Sequence, residues 1–194
     1  LSSSSLATAL LNGVNMNLAN VAYGVTGGKA FAQTTVPAGD TIADDTEGGF
    51  ATQYDIPANA LAVGDVVRVT ARGGWSATGT NPTLVMNVFL GTTAMGAVAT
   101  GALSTKPSDN GWSLQLDMVC RSTGAAATFE SHGVAVMGLA TGAPLLQNLY
   151  NSDPDANEID LTTPCPVSLS AVWSAAAAGN TITLRQLIVE ILKA

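Results

Sequence analysis

The stretch from Tyr54 to Gly91, YDIPANALAVGDVVRVTARGGWSATGTNPTLVMNVFLG, admits few folds. Val67, Val69 and Ala71 alternate with Arg68, Thr70 and Arg72. That is the two-residue period of a strand with one face in a core and one outside. Leu84, Met86, Val88 and Leu90 alternate with Val85, Asn87 and Phe89 in the same way. Pro57 removes a backbone donor and ends the strand before it. Gly64-Asp65 supplies a turn, and Leu61 and Val63 are expected to tuck that connection under the sheet. A turn from Gly73-Gly74 to Pro82 is expected between the two strands. The stretch predicts antiparallel β structure and carries no catalytic motif.

The rest of the chain repeats this grammar. A strand is expected at Ala30–Val36, a loop at Pro37–Gly49, and a strand at Phe50–Ile56. Thr93–Thr100 fits a short return strand. After a turn signal at Asp109-Asn110-Gly111 comes the clearest alternation in the chain. Trp112, Leu114, Leu116, Met118 and Cys120 fill one face, opposite Ser113, Gln115, Asp117, Val119 and Arg121. Thr128–Gly138 follows as a strand, with apolar residues in both phases. Leu139–Asn157 is irregular and acidic, and Glu158–Thr163 fits a short strand. Pro164 and Pro166 make a corner, after which Val167, Leu169, Ala171 and Trp173 share one face. In Thr181–Leu192 the apolar phase switches near Arg185-Gln186, as a β-bulge would cause. About eight to nine strands punctuated by turns imply an all-β, antiparallel β sandwich, jelly-roll-like. A closed up-and-down barrel is the alternative.

Two regions follow: 1–28 and the sandwich at 29–194. Leu1–Gly28 holds no charge, and Leu6, Leu10, Val14, Leu18 and Val21 recur every three to four residues, a helical period. Gly13 and four Asn weaken it as a free-standing helix. An arm that orders against a partner surface and a short helix packed on its own domain both satisfy the pattern. The start lacks an initiator Met and a basic leader region, so trimming is expected to have produced it.

Charge narrows the function. Charged residues are 11% of the chain, against roughly 25% in an ordinary soluble domain. Free monomers stay soluble through charge, so a surface this poor in it favours cover by other subunits over a neutral, polar secreted or β-rich surface. The balance is −7, and the seven basic residues form no run. Phosphate-backbone binding needs clustered Lys and Arg, so no nucleic-acid partner is expected. No apolar run reaches the roughly 18–20 residues of a membrane span, so no membrane partner is expected either.

Catalytic chemistry is not legible. His132 is the single histidine and is expected to pack or face a subunit, and no Gly-x-Ser-x-Gly elbow exists. Asp153–Glu158 has alternating oxygen donors, but the loop glycine and closing glutamate of a calcium loop are missing, so a solvated acidic loop is the competing reading. Cys120 and Cys165 fit either buried free thiols or a cross-strand disulfide. Neither an enzymatic activity nor a cofactor is expected. Arg68, Arg72, Arg121 and Arg185 each fall on a strand, away from the core phase. They are expected either to pair with acids, among Asp55, Asp65 and Asp117, or to stand solvated on an outer face.

The segments IPANALAVGDVVRVTARGGWSATGTNPTLVMNVFLG, DNGWSLQLDMVCRSTGAAATF and VSLSAVWSAAAAGNTITLRQLIVEIL carry a resemblance. With a strand ending Ile-Pro, a Leu-x-x-Gly-Asp corner and a terminal Trp-Ser…Gly-Asn-Thr-Ile-Thr-Leu pair, the chain resembles small β-sandwich structural proteins of tailed-bacteriophage virions. The resemblance spans most of Tyr54–Leu192 and leaves Leu1–Asp40 uncovered. It implies a virion protein on the capsid exterior, assembled in the host cytoplasm. The leading expectation is a homotrimeric decoration or cement protein bound to the major capsid protein. Leu6, Leu10, Val14, Leu18, Val21, Arg68, Arg72, Arg121 and Arg185 would be its subunit or capsid contacts. The alternative is a receptor-binding fibre or knob module for host glycans, presenting Trp75 or Tyr150.

Overall fold

A computed structural model describes residues 29–43, 45–78, 81–139, 143–151, 158–177 and 179–194, without the side chains of 29–39 and 106–108. Residues 1–28 lie outside the described residues, and with them Leu6, Leu10, Val14, Leu18 and Val21; so does most of the Asp153–Glu158 run.

Among the described residues eleven strands form two antiparallel sheets. They are β1 (Lys29–Ile42), β2 (Gly48–Gly49), β3 (Tyr54–Ile56), β4 (Val66–Ala77), β5 (Leu84–Leu90), β6 (Thr93–Ala99), β7 (Lys106–Cys120), β8 (Phe129–Met137), β9 (Leu145–Tyr150), β10 (Cys165–Trp173) and β11 (Thr181–Leu192). One sheet runs β1-β11-β4-β7-β8-β9. The other runs β2-β10-β5-β6, with β3 also on β10. The pairing is nested: β1 with β11, β2 and β3 with β10, β4 with β7, β5 with β6. A chain folded double on itself and rolled up in this way is a jelly roll. The hairpin β8–β9 is an addition on the free side of β7.

Alternation explains the core. Val67, Val69 and Ala71 of β4 and the Trp112-to-Cys120 set of β7 point inward from the six-stranded sheet. Leu84, Met86, Val88 and Leu90 of β5 and Val167, Leu169, Ala171 and Trp173 of β10 meet them from the other. Burial of each large side chain contributes roughly 1.5–3 kcal/mol. The phase switch in β11 is a bulge between Leu184 and Gln186, which keeps Ile182, Leu184, Leu187, Val189 and Ile191 all inside. Cys120 and Cys165 are buried free thiols.

Several expected turns are strand instead. β4 runs through Gly73-Gly74 because these glycines make close approaches, Gly73 to Trp112 and the Thr183 carbonyl and Gly74 to Asp109, rather than a bend. The Trp112 indole N–H donates to the carbonyls of Gly74 (3.3 Å) and Thr183 (3.2 Å). A Cβ on Gly73 would overlap the Thr183 carbonyl and stand 2.8 Å from that indole nitrogen. The long β4 then gives Asn110 and Gly111 partners at Trp75 and Gly74, so β7 continues through that turn signal, with a register shift beside Asp109 in place of a turn. β1 continues to Ile42 after a register shift between Thr35 and Asp40. Phe50 is buried, but regular pairing starts only at Tyr54. Leu61 tucks in as expected, whereas Val63 stands 61% exposed. At 158–163 a single bridge, Ile159 to Ala127, replaces the expected strand.

The irregular reading of 139–157 missed β9. Leu149 turns inward and Leu146, Asn148 and Tyr150 outward, the same period 2 in a shorter run. Asn151 locks the end of β9 onto β8. Its side-chain oxygen accepts from the Ser131 amide at 2.8 Å, and its side-chain nitrogen donates to the Phe129 carbonyl at 2.7 Å. Ser131 Oγ in turn donates to the Met95 carbonyl of β6 at 2.5 Å, and Gln147 accepts from the Ala99 amide at 3.1 Å. Those bonds close the sandwich along its β6–β9 side.

Candidate assembly surface

The outward face of the six-stranded sheet carries Arg68, Arg72 and Tyr150 of the candidate residues. Register sets them in rows across the strands. One row runs Glu190, Arg68, Asp117, His132, Tyr150. The next runs Ile188, Thr70, Gln115, Val134, Asn148, and the one beyond it Gln186, Arg72, Ser113, Val136, Leu146.

Arg68 stands opposite Asp117, and the fork closes with Nε and Nη2 each 2.7 Å from a carboxylate oxygen. The hydrogen bonds that Arg68 donates to Asp117 raise the Arg68 pKa, and the charges of Asp117 and Glu190 add to it, against a smaller burial effect. Asp117 is thus the expected acid that pairs. Arg121 pairs with Glu130 at 2.7 Å, and His132 lies 3.2 Å from the other oxygen of Glu130. Arg185, at the β11 bulge, pairs with Asp109 at 2.5 Å. Arg72 shares the face of Arg68 but makes no ion pair among the described residues. Its neighbours across the ladder are Ser113 and Gln186.

Beside Arg72 the surface dips. Thr70, Arg72, Ser113, Gln115, Val134 and Val136 line a shallow depression of about 250 Å³. On the β9 side of it Leu146 is 68% exposed and Tyr150 61%. The reading of the sequence named Tyr150 but not Val134, Val136 or Leu146. Their signal was the outward phase of β8 and β9, hidden because both phases of β8 carry apolar residues. Trp75 is corrected: it is buried, its indole N–H donating to the Gly138 carbonyl at 3.0 Å, and it presents no platform.

Asp65 of the Leu-x-x-Gly-Asp corner pairs with Lys193 instead of an arginine, at 2.7 Å. Its carboxylate also accepts from the amides of Ala62 (2.8 Å) and Ala194 (3.1 Å). Burial pushes its pKa up, but Lys193 and the two amides outweigh that and hold it below the ordinary value. Asp55 takes a hydrogen bond from Gln53.

Among the described residues His132 hydrogen-bonds Glu130 and no nucleophilic side chain, and its strand neighbours are Asp117 and Tyr150. Burial pushes both thiols up, Cys165 to about 11. Among the described residues no group of three or more His, Cys, Asp or Glu side chains is arranged to hold a metal ion, and no helix is long and apolar enough to cross a membrane.

No protein-family model matches the chain, and no curated protein does. Solved structures are similar at low identity. A chain of the T13 IBDV viral particle is 12% identical over 85% of this chain and 31% of that one, with TM-score 0.39. The CBM2 module of the evolved Dit of Lactobacillus casei BL23 phage J-1 is 9% identical over 73% and 69%, with TM-score 0.34. Winged bean acidic lectin is 8% identical over 88% and 94%, with TM-score 0.33. The chain spans about a third of the length of the viral chain it matches. Likenesses of this depth are to a β-rich build and carry nothing about function.

Proposed function

We propose that this chain is a structural protein of a tailed-bacteriophage virion, a trimeric decoration or cement protein on the capsid exterior. The observation that carries the reading is the outward face of the six-stranded sheet. It presents Val134, Leu146 and Tyr150 beside arginines, in a chain with 11% charged residues. Such a face favours cover by another protein surface. The resemblance carried by the Ile-Pro, Leu-x-x-Gly-Asp and Trp-Ser…Leu segments supplies the virion context. In this reading the chain is not an enzyme; it works by burial. Each 100 Å² of apolar surface covered contributes roughly 2.5 kcal/mol before ordering costs. The uncharged segment 1–28 lies along neighbouring major capsid protein, and the sandwich contributes the trimer.

Deleting residues 1–28 tests the division of labour. The truncated chain is expected to remain a folded trimer in sedimentation and to lose capsid co-sedimentation. Undiminished capsid binding would remove the segment from the mechanism. Exposed Tyr150 favours a second reading, a glycan-binding module at a fibre tip, although burial of Trp75 deprives it of its other aromatic. Silence on a glycan array together with tight capsid binding would reject it.

A further inference from the structure

We infer that the Arg72 depression and the β8–β9 face are one half of a head-to-tail contact between copies of this chain, the other half being the acidic β2–β3 rim of the next copy. The inference rests on the trimeric reading above and supplies its geometry.

The first observation is charge. Arg68, Arg121, Arg185 and Lys193 each have an acidic partner within the chain. Arg72 has none among the described residues, and it opens into a depression with two hydroxyls, an amide and two valines. A guanidinium with hydroxyl and amide donors nearby, walled on one side by methyl groups, fits a carboxylate on an aliphatic stem.

The second is the edge. β9 is the last strand of its sheet, and its sequence LLQNLY contains no charge and no proline. Its pairing with β8 runs from Leu145 to Tyr150 without a bulge. Proteins guard open edges with charge, proline or bulges; among the described residues no strand pairs with the outer side of β9, and an edge of this composition beside exposed Leu146 and Tyr150 is one that assembly covers.

The third is the location of unspent acid. The chain carries 14 acidic residues against seven basic. At the far edge of the five-stranded sheet, Glu47 is held by Ser170 and Asn87. Asp45 and Asp55 are exposed there with no basic partner among the described residues. This edge adjoins β1, as the bond from the Thr52 amide to Asp40 records at 2.9 Å. β6 instead faces β8 and β9 through Ser131 and Gln147. The cationic, apolar half and the acidic half therefore lie on opposite sides of the sandwich. Two different surfaces that complement each other make a heterologous contact, which forms a ring when the rotation between copies closes at three and an open filament when it does not; an isologous dimer would bring Arg72 against the surface that carries Arg72.

Native mass spectrometry and sedimentation of the full chain test this with four proteins: wild type, Arg72→Glu, a rim variant with Asp45→Arg and Asp55→Arg, and the triple variant. Wild type is expected to be a trimer. Arg72→Glu and the rim variant each place like charges across the contact and should raise the half-dissociation concentration by roughly tenfold or more. The triple variant restores opposite charges and should return most of that loss, which a mere folding defect would not. Val63→Ser, at an equally exposed apolar site off this face, should leave assembly unchanged. A wild-type trimer indifferent to Arg72→Glu, or a triple variant no better than the single changes, overturns this contact and leaves the trimeric reading standing. A wild-type monomer or dimer overturns the trimeric reading and the ring with it.

Discussion

Replacing Asp65 by Asn should cost this protein roughly 2–4 kcal/mol. Three donors converge on the Asp65 carboxylate, which is 2% exposed: the amides of Ala62 and Ala194 and the Lys193 ammonium. Lys193 also donates to the Ala60 carbonyl at 2.6 Å, so the end of the chain is tied to the corner before β4. An asparagine offers one accepting oxygen and turns an N–H₂ group toward the remaining donors. At least one buried donor then loses its partner, and a hydrogen bond to a charged group is worth about 1.5–3 kcal/mol. The Lys193 side chain is 36% exposed, so the ion pair itself adds no more than about 1 kcal/mol after solvent screening. Urea unfolding of the two proteins at matched concentration measures the difference, and a chain of this size should lose roughly 5–10 °C in Tm. The pH dependence is a second readout. Because the folded pKa of Asp65 lies below its ordinary value of 3.8, its contribution is complete above that value and is lost as pH falls through the depressed one. That part of the acid limb should be absent from Asp65→Asn. A stability loss under about 0.5 kcal/mol, or acid limbs that run parallel, would refute the reasoning.

Gly73→Ala should destabilise by roughly 3 kcal/mol or more, because the added methyl overlaps the Thr183 carbonyl and pushes β4 off β11. Gly101→Ala, where a Cβ meets nothing within 4 Å, should be close to neutral in the same urea titration. With its pKa pushed to about 11, Cys165 is roughly one part in a thousand thiolate at pH 8. Iodoacetamide should therefore modify neither thiol of the native protein and both after unfolding, as read by mass; fast native alkylation of Cys165 would contradict its burial.

The layering was readable because alternation is a local property. In β4, β5, β10 and β7 from Trp112 onward the inward phase is apolar throughout while the outward phase is interrupted by Arg68, Thr70, Asn87, Ser113, Gln115, Asp117 and Ser168, so the buried face follows from the period alone. Even the β11 bulge was visible, since a one-residue insertion must flip the apolar phase at Arg185-Gln186. The candidate surface was half readable for the same reason: outward phase placed Arg68, Arg72 and Arg121 away from the core, and Asp117 was among the acids expected to pair.

The rest depends on contacts between residues far apart in the chain. Gly73-Gly74 and Asp109-Gly111 carry turn-forming residues, and nothing local distinguishes a glycine that bends the chain from one that makes room for the Trp112 indole to reach the carbonyls of Gly74 and Thr183. Only the pairing of β4 with both β7 and β11 decides it. β9 is too short and too evenly apolar to announce itself until β8 offers it an edge. Trp75 and Tyr150 are both aromatic residues near strand ends, and tertiary packing alone buries one and exposes the other. By itself the sequence determined an all-β sandwich with a charge-poor surface, because a two-residue period and composition need no partner to be read. The tertiary structure decided which arginine is left without an acid and where the apolar strip falls, because both are set by strand register, a relation between residues tens of positions apart.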